Sequence, residues 1–199
     1  MKPRLYIFAK APRLGHVKTR LAAGLGHVYA RRIYRAMTAK VLREVQGPCW
    51  ETILYVTPDR YVGAGFGGLW SDTMPRFAQK GGDLSQRSAR LFTHKGPTII
   101  IGTDTPTVKN RHIADGFKAL KSHDAVIGPA KDGGFWLLGL NAPTNPGLFE
   151  DIRWSHPETC KDMCSAIDGK IAVLPTLEDV DDAAAYRRYK QGQHIDGRQ

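Results

Sequence analysis

Basic side chains follow the first apolar run of the chain and lie in a stretch without any acidic residue. The run is Leu5–Ala9, and Lys10, Lys18 and Arg20 come after it, with Gly15 between them. Backbone amides at a strand end, a glycine that permits close approach, and Lys or Arg side chains are typical of phosphate binding. The Gly-Lys-Ser/Thr signature of a Walker A loop is absent. We therefore predict that Lys10, Gly15, Lys18 and Arg20 bind a nucleotide's phosphates; the alternative is a solvated basic loop.

A single carboxylate follows the most apolar strand-like segment, Pro97–Gly102. Burying Asp104 there is costly unless a cation neutralises it. Mg²⁺ does so while bridging substrate phosphates, and it needs only one or two protein carboxylates. We predict that Asp104 holds the metal rather than capping a turn or helix. Asp181 is a weaker second candidate, because its acidic run is also typical of a helix start, which we favour slightly.

Two further combinations of Asp and Gly each allow two interpretations. Lys131–Phe135 reads Lys-Asp-Gly-Gly-Phe, which is either a tight turn or part of an acceptor pocket where Asp132 orients the substrate or acts as a base. Gly82 and Asp83 open a predicted helix. Their amides and the helix dipole favour an anion or a base edge, whereas the simpler alternative is that Asp83 is an N-cap.

The formal net charge of +10 is concentrated at one end of the chain, because eleven cations precede Glu44, the first acidic residue. Aromatic residues do not alternate with these cations, and no nucleic-acid motif is present. We therefore expect a small-molecule phosphate as the partner, without specific nucleic-acid binding. Three cysteines do not form a disulfide framework, and the apolar runs are too short for membrane insertion or a signal peptide. These features predict a cytoplasmic protein.

Strand-like and helix-like segments alternate along the 199 residues, which predicts an α/β fold with a mostly parallel sheet covered on both faces. Two strands without a helix between them, within 124–140, predict an antiparallel portion. In such sheets the ligand lies beyond the carboxyl ends of the strands. The predicted strands are Leu5–Ala9, Thr52–Val56, Met74–Gln79, Pro97–Gly102, Ala125–Ile127, Phe135–Leu140 and Ile171–Leu174; the predicted helices are Val28–Val45, Asp83–Phe92, Asn110–Lys121, His156–Ile167 and Asp181–Lys190.

These segments together resemble a bacterial family of glycosyltransferase-A-like transferases, associated in name with radical-SAM and selenodomain proteins. The family is similar to nucleotide-diphospho-sugar transferases, including 2-phospho-L-lactate and molybdenum-cofactor guanylyltransferases. Two positions depart from the family pattern, since Ser85 replaces a usual glycine and Ser88 a usual methionine. The resemblance rests on six blocks in order: Phe8–Pro12 with Gly15–Leu21, Gly81–Leu84 with Arg87, Ile101–Pro106, Lys131–Phe135, Trp154-Ser155 and Leu177–Asp181.

The resemblance implies a single glycosyltransferase-A-like domain over residues 1–199, with three αβα layers and a mostly parallel mixed sheet. It also implies a nucleotide on the first loop, which we predict over residues 10–21 after the first strand, and Mg²⁺ or Mn²⁺ on Asp104. We expect a metal-dependent transferase, with nucleotidyl transfer slightly favoured over glycosyl transfer from a nucleotide sugar. Lys18 and Arg20 would stabilise developing charge, and Asp132 would orient a small-molecule acceptor. The alternative of another class is a basic module that binds nucleic acid or anionic surfaces.

Overall fold

A seven-stranded sheet forms the middle of the protein in the computed structural model, which describes residues 2–93, 95–141 and 143–196. The strand order is β3-β2-β1-β4-β6-β5-β7. Strand β6 is antiparallel to both of its neighbours, and the other pairs are parallel. The strands are β1 Arg4–Lys10, β2 Glu51–Thr57, β3 Arg76–Ala78, β4 Thr98–Ile101, β5 Ala125–Pro129, β6 Phe135–Leu140 and β7 Ile171–Val173.

Six α-helices within the described residues complete the fold, and the predicted α/β class with a mostly parallel mixed sheet is confirmed. The antiparallel portion within 124–140 is also confirmed, because β5 and β6 form a hairpin through a glycine turn. Strand β4 lies at the centre of the sheet, as its apolar, β-branched sequence predicts. The helices are α1 Thr19–Leu25, α2 His27–Glu44, α3 Leu84–Ala89, α4 Asn110–Ala119, α5 Thr159–Ala166 and α6 Ala183–Asp196.

Alternate side chains of the central strands point to opposite faces of the sheet, and each face has its own core. Ile99 packs in the core that contains Val41 of α2 and Ile113 of α4. Its neighbour Ile100 packs in the core that contains Met163 of α5. Because consecutive strand residues face opposite sides, a run of apolar residues in β4 supplies both cores. The result is three layers, with helices on either side of the sheet.

The prediction for the segment after β1 was wrong in one respect. It treated residues 10–21 as a continuous loop, but α1 begins at Thr19 and therefore includes Arg20. Leu21 and Ala22 of α1 are buried in a third, smaller cluster with Ile33 of α2. A helix of only seven residues shows little periodicity in the sequence, so its formation depends on this packing.

Several predicted boundaries differ from the observed ones by a few residues. The third strand is shorter than predicted, and α5 begins at Thr159 rather than His156. The last helix begins at Ala183 because Asp182 accepts a hydrogen bond from the Ala185 amide and caps it. Among the described residues, no helix combines the length and the apolar character needed to cross a membrane.

Candidate functional site

The carboxyl ends of β1 and β4 are neighbours, so the loops that follow them meet above the same edge of the sheet. A cavity of about 280 Å³ opens there. It brings together most of the residues predicted to bind phosphate with the two predicted metal ligands. Its charged and titratable lining residues are Lys10, His16, Lys18, Arg20, Tyr34, Asp104 and Asp181.

The Lys18 ammonium lines this first cavity between two carboxylates. Its Nζ lies 2.6 Å from Oδ1 of Asp104 and 2.6 Å from Oδ1 of Asp181. The Lys18 side chain is 5% exposed, whereas those of Asp104 and Asp181 are 48% and 28% exposed. Burial acts to lower the pKa of Lys18, but the two carboxylates outweigh it and raise that pKa above its ordinary value.

This contact gives Asp104 a partner that was not predicted from the sequence, because Lys18 already supplies a positive charge to that carboxylate. The metal-binding role of Asp104 stays a prediction. Lys18 was predicted to bind phosphates, and in this structure it is held between two carboxylates. Its backbone has φ 49° and ψ 52°, a left-handed conformation in which it forms the N-cap of α1. Non-glycine residues are uncommon there, and such conformations cluster at functional sites.

The pair of carboxylates fits a divalent cation, because an oxygen of Asp104, after β4, and an oxygen of Asp181, before α6, converge on one positive charge. Mg²⁺ is commonly held by one or two carboxylates together with substrate phosphates. Within residues 2–93, 95–141 and 143–196, no group of three or more His, Cys, Asp or Glu residues forms a self-sufficient metal cage. The two carboxylates therefore fit a metal whose remaining ligands come from a bound nucleotide.

The aspartates that follow β7 make different contacts. Asp182 caps α6, whereas Asp181 contacts both Lys18 and the Arg20 guanidinium. The Val180 amide donates to the Asp104 carbonyl at 2.8 Å and so joins the two carboxylate-bearing segments. The helix-start explanation, slightly favoured from sequence, therefore applies to Asp182 and not to Asp181.

Tyr34 of α2 is a member of the site that the sequence did not single out. Its hydroxyl donates to the Lys10 carbonyl at 2.7 Å and accepts from the Lys10 amide at 3.1 Å. Burial raises the pKa of Tyr34, so the phenol stays neutral. The double contact fixes the end of β1 against α2. The sequence signal that marks Tyr34 is its hydroxyl on the mostly apolar, buried face of α2.

A second cavity, of about 320 Å³, lies beside the first and shares Phe8 and Asp104 with it. It is lined by the β5–β6 turn, including Asp132, and by aromatic side chains from several elements. The Phe135 and Trp154 rings meet edge to face with centroids 5.9 Å apart. Asp132 and Asp104 therefore border one cavity, as an acceptor-positioning role for Asp132 requires.

Two features fix the wall of this second cavity. Trp154 Nε1 donates to Ser85 Oγ at 2.6 Å, and that hydroxyl donates to the Phe149 carbonyl at 2.6 Å. Gly133 has φ 89°, and a Cβ at this position would lie 1.9 Å from the Pro157 carbonyl oxygen. Only glycine allows the turn to approach the α5 segment so closely.

Three predicted nucleotide-binding residues lie outside both cavities. Gly15 is in the first loop but is not among the lining residues. Gly82 and Asp83 precede α3, where Asp83 accepts from the Gln86 amide and acts as the N-cap. The N-cap alternative for Asp83 is therefore confirmed. A base-binding role for Gly82 stays a prediction.

The model of DUF2064, described as an uncharacterized protein family conserved in bacteria, matches residues 41–156, which is more than half of the chain. The chain belongs to this family. The first loop lies before the matched range, whereas Asp104 and Asp132 of the DUF2064 protein lie within it.

Two relatives extend the comparison. The DUF2064 chain is 26% identical over 129 residues to a 2-phospho-L-lactate guanylyltransferase from Methanocaldococcus sp. (strain FS406-22), a match that covers 65% of this chain and 56% of that protein. A crystal structure described as a candidate nucleotide-diphospho-sugar transferase from Desulfovibrio desulfuricans G20 superposes with a TM-score of 0.81 at 26% identity, covering 91% of this chain and 83% of that one.

A more distant structure has the same fold. Rv0371c from Mycobacterium tuberculosis H37Rv, solved in complex with manganese, superposes with a TM-score of 0.57 at 15% identity and covers 94% of this chain and 97% of its own. At this identity the likeness concerns the fold. The resemblance to glycosyltransferase-A-like transferases that the motifs implied is confirmed by the family and the fold.

Proposed function

We propose that the DUF2064 protein is a metal-dependent nucleotidyltransferase that uses a nucleoside triphosphate. The observation that carries the proposal is the convergence of Lys18, Asp104 and Asp181 at the carboxyl ends of β1 and β4. A site for a metal–triphosphate complex needs both cations for the phosphates and carboxylates for the metal, and the first cavity has both. The guanylyltransferase relative supports the same class of reaction.

Asp104 and Asp181 would hold Mg²⁺ or Mn²⁺, which when bound would neutralise charge on the phosphate oxygens. Lys18 would then leave the carboxylates and bind a phosphate oxygen, together with Lys10 and Arg20. Lys18 therefore has two alternative anionic partners, one in the protein and one in the substrate. This exchange keeps the carboxylates neutralised in the free protein and makes them available when the nucleotide enters.

In the proposed reaction, an oxygen of the acceptor attacks the α-phosphorus of the nucleotide. The new oxygen–phosphorus bond forms as the bond to the β-phosphate oxygen breaks, and pyrophosphate leaves. Lys18 and Arg20 would stabilise the charge that develops on the phosphates. Asp132, on the far side of Asp104, would orient the acceptor and take the proton of its attacking hydroxyl. The contribution of the protein is mainly positioning and electrostatic stabilisation.

The test is metal-dependent stabilisation by nucleotides. Melting temperatures are measured with GTP, CTP, ATP and UTP, each with and without Mg²⁺ or Mn²⁺. A nucleotide at one hundred times its dissociation constant stabilises a protein by about 2.7 kcal/mol. We expect Asp104→Asn to abolish the metal-dependent part of this shift, because the amide has the shape of the carboxylate without its charge.

Asp182→Asn is the matched control for this experiment. It removes the same charge next to Asp181, but Asn caps a helix about as well as Asp. It should therefore retain the metal-dependent shift. If Asp104→Asn also retained the full shift, the metal would bind elsewhere and the proposed site would be wrong.

Glycosyl transfer from a nucleotide sugar is the second candidate, supported by the similarity to the Desulfovibrio desulfuricans structure. The leaving group distinguishes the two reactions. Nucleotidyl transfer releases pyrophosphate, whereas glycosyl transfer releases a nucleoside diphosphate. Assaying both products with triphosphates and with nucleotide sugars therefore decides between them.

A nucleic-acid-binding role is disfavoured by the contacts of the basic residues in the first segment. Arg31 donates to the Pro12 carbonyl, Arg35 to the Phe66 carbonyl and Lys40 to the Tyr189 hydroxyl. These side chains support loops and helices of the protein itself. We expect DNA or RNA binding to be weak and non-specific at physiological salt. A tight, sequence-selective complex would contradict the transferase proposal.

A further inference from the structure

The second cavity differs from the first in charge. Its ionisable lining residues are Asp104, Asp132 and His156, and no Lys or Arg of the described chain borders it. Asp104 is paired with Lys18, whereas Asp132 makes no salt bridge with any described residue. Its Oδ1 accepts only from the Gly134 amide, at 2.8 Å. The free charge of this cavity is therefore negative.

Among the described residues, no cation pairs with the Asp132 carboxylate. Lys131, the nearest cation in the sequence, points to Glu178 instead, with Nζ 3.2 Å from its carboxylate. An anionic group entering the cavity would meet repulsion without a compensating cation.

Aromatic rings supply the apolar part of the lining. Phe8, Phe135 and Trp154 border the cavity, and the Trp154 ring is held by its hydrogen bond to Ser85. Ser88 lines the same cavity and is 1% exposed, and its Oγ has no hydrogen-bond partner among the described residues. Fixed aromatic rings near carboxylates bind apolar ring faces and organic cations, because the ring face is electron-rich.

From this lining we infer that the second cavity binds the acceptor, which is the substrate that receives the transferred group. The part of the acceptor inside the cavity has an apolar ring face and a hydroxyl or cationic amine, and it carries no anionic group. The inference rests on the proposed function and specifies its acceptor. The reacting hydroxyl lies between Asp104 and Asp132, which takes its proton, and the neutral or cationic body of the acceptor lies against the aromatic rings.

Charged thiol reagents test this inference without knowledge of the natural substrate. Ser155→Cys places a thiol at an exposed position on the lining of the second cavity. The reagents are trimethylammoniumethyl methanethiosulfonate, a cation, and sulfonatoethyl methanethiosulfonate, an anion. Each rate is divided by the rate at the exposed native Cys49, which corrects for intrinsic reactivity. Burial, with Cys164 beside it, raises the pKa of Cys160 to about 11, so that native thiol reacts slowly.

We expect the normalised rate at Ser155→Cys to be about ten-fold higher for the cationic reagent. Adding Asp132→Asn should remove most of this preference. His16→Cys in the first cavity, where Lys10 and Arg20 lie close, should show no preference or the opposite one. If Ser155→Cys disturbs folding, His156→Cys samples the same cavity.

Equal rates, or faster reaction of the anionic reagent, would overturn the inference, as would a preference that survives Asp132→Asn. A saturating metal–nucleotide complex should leave both reagents able to react. Complete protection would show that the cavity belongs to the nucleotide, which overturns the acceptor assignment and leaves the proposed function intact. If the protein showed no metal-dependent nucleotide binding but the second cavity kept its charge preference, the proposed function would be contradicted and the assigned charge of the cavity would still hold.

Discussion

The two cavities share Asp104 and Phe8 but are built on different principles. The first pairs both of its carboxylates internally, because Lys18 and Arg20 contact Asp104 and Asp181, and Lys10 adds a further cation. The second leaves Asp132 without an ion pair and surrounds it with aromatic rings. Ion pairs within a site can exchange partners when a charged ligand arrives, whereas an unpaired carboxylate attracts cations from the start. Under the proposed function, this difference places the highly charged nucleotide in the first cavity and the neutral or cationic acceptor in the second.

The largest effect on this comparison should come from Gly133→Ala, which acts on the second cavity alone. The new methyl group would collide with the Pro157 carbonyl in a backbone conformation that favours glycine. Such strain and overpacking together cost about 3–4 kcal/mol. Urea unfolding measures the loss.

Gly134→Ala is the control, since its Cβ would approach only the Asp132 side chain, at 3.1 Å. We expect a much smaller loss for that variant. Equal stability of the two variants would mean that the turn does not depend on its close approach to the α5 segment.

Lys18→Met should change nucleotide binding and metal binding by the first cavity in opposite directions. Losing a charge-assisted bond to phosphate should weaken nucleotide binding about ten- to hundred-fold. Freed from Lys18, Asp104 and Asp181 should bind Mg²⁺ or Mn²⁺ more tightly in the absence of nucleotide. Isothermal titration with each ligand measures both effects.

Lys10→Met provides the comparison, because it removes a cation from the same cavity without leaving the two carboxylates unpaired. It should weaken nucleotide binding without any gain in metal binding. If Lys18→Met bound metal no better than the wild type, the exchange of partners by Lys18 would be wrong.

Ser85→Ala should cost about 1–2 kcal/mol, because the Trp154 indole and the Phe149 carbonyl both lose a partner. Ser88→Ala makes the same chemical change one helical turn away, where the hydroxyl has no partner, and should cost little. Denaturant unfolding and tryptophan fluorescence compare the pair. Similar losses for both variants would contradict the role of Ser85 in holding the second cavity's wall.

The smallest effect on stability is expected for Asp162→Asn. The Asp162 carboxylate accepts a hydrogen bond from the backbone amide of Arg153, the residue before Trp154. The Arg153 side chain holds the pKa of Asp162 down at about 2 through hydrogen bonds of 2.6 and 2.8 Å. A lowered carboxyl pKa stabilises the fold above the ordinary value near 3.8, and this stabilisation is lost as pH falls through about 2.

The melting temperatures of the wild type and Asp162→Asn should therefore differ slightly at neutral pH and converge as the pH approaches 2. A difference that stays constant over that range would mean that the ion pair does not contribute.

Most of the architecture could be predicted from local patterns. The Thr98–Ile101 strand is apolar on both faces and therefore belongs to the sheet centre, and the Gly133–Gly134 pair requires a hairpin. Helix α1 could not be predicted, since seven residues carry little periodicity and gain their stability from contacts with α2 and α6.

The site was less accessible to sequence reasoning, because its pairings join distant parts of the chain. Lys18, Asp104 and Asp181 were each singled out from their own surroundings. That Lys18 binds the two carboxylates depends on strand order and on the docking of the Asp179–Asp182 segment, which no local pattern contains. The unpaired state of Asp132 has the same origin, because Lys131 reaches Glu178 instead.

The hydrogen bond from the Val180 amide to the Asp104 carbonyl has a consequence for how the protein is made. Chains emerge from the ribosome with the N-terminal end first. The basic loop and the central strand are thus synthesised well before the segment that carries Asp181. A nascent chain can assemble its sheet while Lys18 still has only one carboxylate partner. If the protein binds a nucleotide as proposed, it would gain that affinity late in its synthesis, once the segment with Asp181 has left the exit tunnel.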